Sequence, residues 1–239
     1  WITNCISLEP DGTSGHQGGN TNPFEIDEGT RYCWVMNCYA YKGAKGFEIK
    51  GHDRSPAASY VTLQNCVAEE NVRAYELRHI GFESKDDESD SAHNLNLINC
   101  VAINPKTNEL YDKTVFALRL SVYRHVNITN FKAIGGNDEI DGRVVSIQQT
   151  AKYVNINNID IRDFKNANRG INITGGDDHA DYVNVSNVNI TNSGAIGIFV
   201  GTQLDNVNLT NRNLENSNGS IGIKSRKPRV NIIGLNVEG

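Results

Sequence analysis

The chain has 239 residues, a formal net charge of −5 and five cysteines. The acidic balance argues against a general nucleic-acid surface. No run reaches the roughly 18 apolar residues of a membrane span, and the odd cysteine count without a Cys-x-x-Cys pair does not fit a disulfide scaffold.

In chain order, short strand phrases end on Asn4-Cys5 and Asn37-Cys38 and then recur more fully. They read Val61-Thr-Leu-Gln-Asn65-Cys66-Val-Ala68, Leu95-Asn-Leu-Ile-Asn99-Cys100-Val-Ala102, Val126-Asn-Ile-Thr-Asn130-Phe131, Val154-Asn-Ile-Asn-Asn158-Ile159, Val183-Asn-Val-Ser-Asn187-Val188 and Val207-Asn-Leu-Thr-Asn211. A last copy, Val230-Asn-Ile-Ile-Gly234, puts Gly where the Asn stood. Successive Asn lie 24 to 34 residues apart, a period that marks a solenoid. Apolar residues alternate with polar ones before the Asn and the parity shifts after it, so each Asn is expected to turn a corner between two strands. The stacked Asn side chains are expected to bond to one another as a ladder.

A third strand follows in each repeat: Phe24-Glu-Ile26, Phe47-Glu-Ile49, Tyr75-Glu-Leu77, Phe116-Ala-Leu118, Val145-Ser-Ile147, Ile171-Asn-Ile173, Ile196-Gly-Ile198 and Ile221-Gly-Ile223. The fold class is therefore all-β, a right-handed parallel β-helix of about eight to nine coils, forming a single domain over residues 1–239. A β-sandwich is the alternative, but it does not predict Asn and Cys aligned at one place in every repeat. No signal peptide or lipidation motif is read, and Trp1 already falls inside a repeat phrase, so the chain is expected to be a piece of a longer polypeptide. Cys5, Cys38, Cys66 and Cys100 share one repeat position and are expected to stack as buried thiols. Disulfide or metal use is the less favoured reading of them, and a reduced ladder suits assembly in the cytosol.

Loops carry the individuality of the repeats. The second holds His52-Asp53-Arg54, the third runs His79 to His93 with the acidic stretch Asp86-Asp87-Glu88-Ser-Asp90, and a later one reads Gly175-Gly-Asp-Asp-His179. Neither acidic stretch has the spacing of a known calcium loop, so no metal and no cofactor are expected. From Gly194 the loops shorten, as in a plain stalk. The apolar outward row Ile6, Tyr39, Val67, Val101 calls for a cover, either a loop or another subunit.

On the third strand, one outward row reads Glu25, Glu48, Glu76, Ala117, Ser146, Asn172. The row two residues on reads Asp27, Lys50, Arg78, Arg119, Gln148, Thr174. Stacked carboxylates repel, which would raise the pKa of at least one, as general-acid work requires, while the neighbouring Lys and Arg would oppose that rise. Glu48, Glu76 and Asp53 are the candidate catalytic acid and base. Glu25, Asp27, Lys50, Arg78, His79 and Arg119 are the candidate substrate-binding groups, the bases gripping an anionic polymer. A surface salt-bridge ladder that merely stabilises stacking is the competing reading.

The run Gly46-Phe-Glu-Ile-Lys50-Gly-His52-Asp, then Asn65-Cys-Val-Ala, then Val72-Arg-Ala-Tyr-Glu-Leu-Arg78-His79-Ile-Gly-Phe, resembles a pectate-lyase-like right-handed β-helix family of phage tailspikes and preneck appendages, from phages of Gram-positive bacteria. Tyr153-Val-Asn-Ile-Asn-Asn158 and Gly175-Gly-Asp-Asp-His-Ala-Asp-Tyr182-Val agree with it. The resemblance implies a homotrimeric virion fibre that recognises a cell-wall polysaccharide or teichoic acid at the host surface and, on balance, hydrolyses it, with no nucleic acid and no membrane insertion. The calcium-binding Asp cluster and Arg of pectate lyases have no counterpart here, which weighs against a lyase. A purely binding adhesin and an unrelated polysaccharide lyase or epimerase are the alternatives.

Overall fold

The computed structural model describes residues 1–10, 21–52, 55–79, 93–107, 114–135, 142–148, 151–175, 180–193, 196–201, 204–215, 223–225 and 230–238. It is an all-β, right-handed parallel β-helix. One ladder stacks Ile2–Thr3, Arg31–Met36, Ser59–Gln64, His93–Ile98, Arg124–Ile134, Lys152–Arg162, Ala180–Thr191, Leu204–Glu215 and Val230–Glu238. A corner ladder of Ile6–Leu8, Tyr39–Tyr41, Val67–Glu69 and Val101–Ile103 runs beside it and merges with it from Arg124 onward. The third ladder, an 8-stranded sheet, stacks Phe24–Ile26, Lys45–Gly51, Arg73–His79, Phe116–Ser121, Arg143–Gln148, Arg169–Thr174, Ile196–Val200 and Ile223–Ser225.

The repeat phrase builds the corner as its pattern requires. The corner Asn residues sit in the left-handed region, from Asn4 at φ 56 to Asn211 at φ 51, and Gly234 takes the same place at φ 65. Asn tolerates that conformation better than other side-chain-bearing residues. From Asn37 to Asn158 each amide donates to the corner amide before it: Asn37 Nδ2 to Asn4 Oδ1 at 3.2 Å, Asn65 to Asn37 at 3.1 Å, Asn99 to Asn65 at 3.1 Å, Asn130 to Asn99 at 2.8 Å and Asn158 to Asn130 at 2.9 Å, whereas Asn187 donates to Asn157 at 2.8 Å. A parallel ladder climbs the strand face, with Asn127 donating to Asn96, Asn155 to Asn127, Asn184 to Asn155 and Asn208 to Asn184.

Further columns of left-handed residues flank the Asn corner at five-residue intervals, as in Tyr60, Asn65 and Glu70 or Tyr153, Asn158 and Asp163. Ring stacking supports the first column where a bulky residue sits in this unfavourable region: Tyr32 on Tyr60 at 4.8 Å, His125 on Tyr153 at 4.9 Å and Tyr153 on Tyr182 at 5.0 Å.

The interior is one continuous apolar core from Phe24 to Leu214. Val35, Leu63, Leu97, Ile128 and Ile156 fill one row before the corner, and Cys38, Cys66, Cys100, Phe131 and Ile159 fill another after it. All five thiols are free. Cys5, in the first described rung, departs from the expected buried ladder and is exposed. Ile6 of the apolar outward row is exposed, while Tyr39, Val67 and Val101 are half-buried. Tyr39 donates its hydroxyl to Glu69 Oε2 at 2.5 Å.

One expected register is wrong by two residues. The inward pair of the fourth strand is Leu118 and Leu120, stacked on Tyr75 and Leu77, so Arg119 lies directly beside Glu76. Ala117 had been placed in that row, with Arg119 two residues on. Apolar–polar alternation is unchanged by a slip of two, so the pattern of the strand alone does not fix which pair points inward. Burial of Leu120 and an ion pair between Arg119 and Glu76 decide it.

Candidate functional site

The third ladder orders its charged side chains through its core. Phe24, Phe47 and Tyr75 stack inward with ring centres 4.8 and 5.2 Å apart, and the Tyr75 hydroxyl is anchored on the Cys66 carbonyl at 2.6 Å. The intervening residues Glu25, Glu48 and Glu76 are therefore turned outward in direct register. Outward here does not mean exposed: Glu48 and Glu76 are both 0% accessible, enclosed by cationic side chains.

Each carboxylate is compensated. Lys45 Nζ lies 2.8 Å from Glu48 Oε1 and 3.9 Å from Glu76 Oε2. Arg73 Nη1 and Arg119 Nη1 reach Glu76 Oε1 at 2.6 and 2.7 Å. Arg78 bridges the two acids, with Nη2 3.2 Å from Glu48 and Nε 3.7 Å from Glu76. Lys50 gathers Glu25 at 2.9 Å, Asp27 at 3.5 Å and Glu48 at 3.6 Å. Asn22 donates to both Glu25 and Glu48 at 2.7 Å. Gln148 turns its amide oxygen to Arg119, 3.1 Å from Nη2.

At two of the three stacked carboxylates this geometry lowers the pKa. Burial alone raises the Glu76 pKa, but Arg73, Arg78, Arg119 and Lys45 together hold it below the ordinary carboxylate value. Burial likewise opposes ionisation of Glu25, yet hydrogen bonds from Lys50 and Asn22 bring it down. A group that is ionised and sealed at neutral pH has no proton to give and no path to a leaving group, so Glu76 does not suit a general acid. Of the two opposed influences, repulsion between stacked carboxylates and attraction to neighbouring bases, the second prevails at Glu25 and Glu76, and at Glu76 it is reinforced by Arg73 and Lys45, which the outward rows do not include.

The other candidates fall into distinct places. His79 is 1% accessible, and its Nε2 donates to the carbonyls of His52 and Ser55 at 3.0 and 3.2 Å. It pins the loop that carries the candidate Asp53 and does not face solvent. Asp53 itself lies outside the described residues, as do the Asp86–Asp90 stretch and Asp177 to His179. His52 Nε2 approaches Asp27 at 3.4 Å, at the acidic end of the cluster. Arg78 and Arg119 remain part-exposed at its basic end.

A feature that no motif marked extends this basic end. Each of the five strands Lys45–Gly51, Arg73–His79, Phe116–Ser121, Arg143–Gln148 and Arg169–Thr174 carries one more base than acid. Strand stacking puts these excess charges at a rise of roughly 4.8 Å per coil, on a chain whose overall charge is −5. Summed composition hides the strip; only the corrected register lines it up.

No family model matches the chain. It is 38% identical over 244 residues to the putative phage-related protein YobO of Bacillus subtilis (strain 168), covering 100% of the chain and 30% of that protein. It is 33% identical over 214 residues to the pre-neck appendage protein of Bacillus phage phi29, covering 88% of the chain and 24% of that protein. Among solved structures, the pre-mature bacteriophage phi29 gene product 12 superimposes on 100% of the chain with a TM-score of 0.89 and 30% identity, over 31% of its own length. The N-terminal fragment of the same gene product gives a TM-score of 0.84 over 98% of the chain and 40% of its own length. The chain thus spans less than half the length of each of these relatives.

Proposed function

The chain being a right-handed parallel β-helix of the phage pre-neck appendage type, we propose that it is a virion appendage segment that binds an anionic host cell-wall glycopolymer of the teichoic-acid class along its third ladder. The observation that carries this reading is the strip of five consecutive strands with one excess positive charge each. A polyanion lying along the axis meets a cation at every coil, and fixed guanidinium groups suit phosphate or carboxylate oxygens. The buried Glu48 and Glu76 hold Lys45, Arg73, Arg78 and Arg119 in place. Assembly as a homotrimer is part of the same proposal.

Binding to purified teichoic acid tests it. Arg78→Gln combined with Arg119→Gln should weaken adsorption by about tenfold or more, since each charge-assisted contact contributes roughly 1.5–3 kcal/mol. Arg78→Lys, which keeps the charge, should retain part of it. Equal adsorption by wild type and the double variant, with both folded, would overturn the proposal. Degradation of the polymer would need a proton donor other than Glu76, and release of soluble fragments by wild type is its separate readout.

A further inference from the structure

Two columns of amides climb the shaft at the corner, and both are interrupted in the same coil. In the corner column Asn158 donates to Asn130 at 2.9 Å, but Asn187 turns aside to Asn157 at 2.8 Å, where Ser186 Oγ joins it at 3.1 Å. Asn158 Oδ1 therefore receives no hydrogen bond among the described residues. The second column lies two residues on. There Asn236 donates to Asn213, Asn213 to Asn189, and Asn189 to Asp160 Oδ1 at 3.0 Å. It stops at that carboxylate, because its partner in the preceding strand is Lys132, which has no acceptor to offer.

A cavity of about 390 Å³ opens where the two columns break, with Asn130, Lys132, Asn158, Asp160, Arg162 and Asn189 in its lining. Phe131 and Ile159 between them are turned into the core, so they present main chain to the cavity and the walls are polar. Asp160 Oδ1 takes Arg162 Nε at 2.8 Å as well as Asn189, while its Oδ2 accepts nothing among the described residues. Lys132 makes no ion pair among the described residues.

This set selects its ligand. Two unused acceptors, Asn158 Oδ1 and Asp160 Oδ2, share the cavity with two cationic donors, Lys132 and Arg162. A hydroxyl gives one hydrogen bond and accepts others, so a ring bearing adjacent hydroxyls satisfies both kinds of group at once. A simple anion would meet Asp160, and a simple cation would meet Lys132 and Arg162. The volume falls in the range of small-ligand sites.

We propose that this cavity is a saccharide subsite for a neutral hydroxylated ring, whose hydroxyls donate to Asn158 Oδ1 and Asp160 Oδ2 and accept from Lys132 and Arg162. It stands on a different ladder from the basic strip, takes an uncharged ligand and does not depend on the polymer reading.

Nuclear magnetic resonance titration of the isotope-labelled chain with the methyl glycosides of glucose, galactose and N-acetylglucosamine tests it, with inorganic phosphate and glycine as charged comparisons. Saturable shifts of the Asn130 and Asn189 side-chain amide signals are expected with at least one glycoside. Asp160→Asn should weaken that binding about tenfold and Asn158→Gly about fivefold, for the loss of one charged and one neutral hydrogen bond. Glycine keeps the left-handed corner at 158, as Gly234 does in its own coil. Asn65→Gly, the same change three coils earlier, should bind like wild type, and this separates loss of the acceptor from loss of stability. No saturable shift with any of the three glycosides overturns the subsite, as does wild-type binding by both Asp160→Asn and Asn158→Gly. Tighter binding of phosphate or glycine at the same signals overturns it in favour of a charged ligand.

Discussion

Arg119 Nη1 stands 2.7 Å from Glu76 Oε1 across directly paired strands, and Arg73 Nη1 approaches the same oxygen at 2.6 Å. One buried carboxylate therefore serves two guanidiniums that would otherwise repel. Glu76→Gln should destabilise the chain by about 3–5 kcal/mol, the usual consequence of breaking a buried charge pair. Denaturant midpoints measure it, and a loss below 1 kcal/mol would show that water or other groups screen these cations.

The same carboxylate makes stability depend on pH in a defined direction. The Glu76 pKa lies below its ordinary value of 4.5 in the folded chain, so the folded state prefers the ionised form. Its contribution is fully present above about pH 5 and is lost as the pH falls below the unfolded value and through the lower folded one. Thermal melts of wild type should drop across that acid range. Glu76→Gln should be less stable at pH 7 and flatter through the same window.

At the corner, Asn65 accepts from Asn99 and donates to Asn37, both at 3.1 Å, with φ at 53. Asn65→Ala removes both bonds and puts a methyl-bearing residue in the left-handed region, at a cost of about 2 kcal/mol. Asn65→Gly loses the bonds but relieves the backbone, and should cost about half as much. Identical midpoints for the two variants would mean that backbone conformation does not matter there.

Thiol reactivity should sort by depth. Cys5 is exposed, while Cys38, Cys66 and Cys100 are buried. The neighbouring Cys66 and burial push the Cys100 thiol well above its usual range, and burial also raises Cys38. In native chain, a disulfide reagent should modify Cys5 rapidly and Cys33 more slowly, and the three buried thiols only after unfolding.

His79 ties down residues 52 and 55 through one ring nitrogen. His79→Ala should leave the melting temperature within a few degrees while hastening proteolysis around Gly51–Ala57. Unchanged cleavage there would show that the loop is held by other contacts.

The fold was legible because its signals are local. The Asn–Cys phrase carries its own corner conformation, its inward residues and its ladder partner in eight residues. The flanking left-handed columns were not legible, since Tyr60, Glu70 and Tyr153 are not turn residues by type, and their company in adjacent coils, ring stacking for Tyr60 and Tyr153 and an ion pair with Lys106 for Glu70, is not visible in the sequence. The site was half legible. Glu25, Glu48, Glu76, Lys50 and Arg78 do come together, but Arg119 changed rows through a two-residue slip that alternation does not detect. Lys45, Arg73, Arg143 and Arg169 were missed because they sit three residues before the outward row, at a parity that reads as inward. The signal that would have found them is the recurrence of a base at that place in four of five successive strands.

The Asn ladder has a sense as well as a spacing. In each of these bonds the later residue gives the hydrogen and the earlier one receives it, so Asn4 takes from Asn37 and Asn187 takes from Asn211, with one sidestep where Asn187 gives to Asn157 beside the corner Asn158. The shaft is therefore a one-way wire of amide dipoles whose two ends are chemically unlike. A second stack of the same kind continues it only head to tail; head to head, acceptor would meet acceptor or donor would meet donor. Polarity along the long axis is thus written into the corners themselves, independently of whatever decorates the sides.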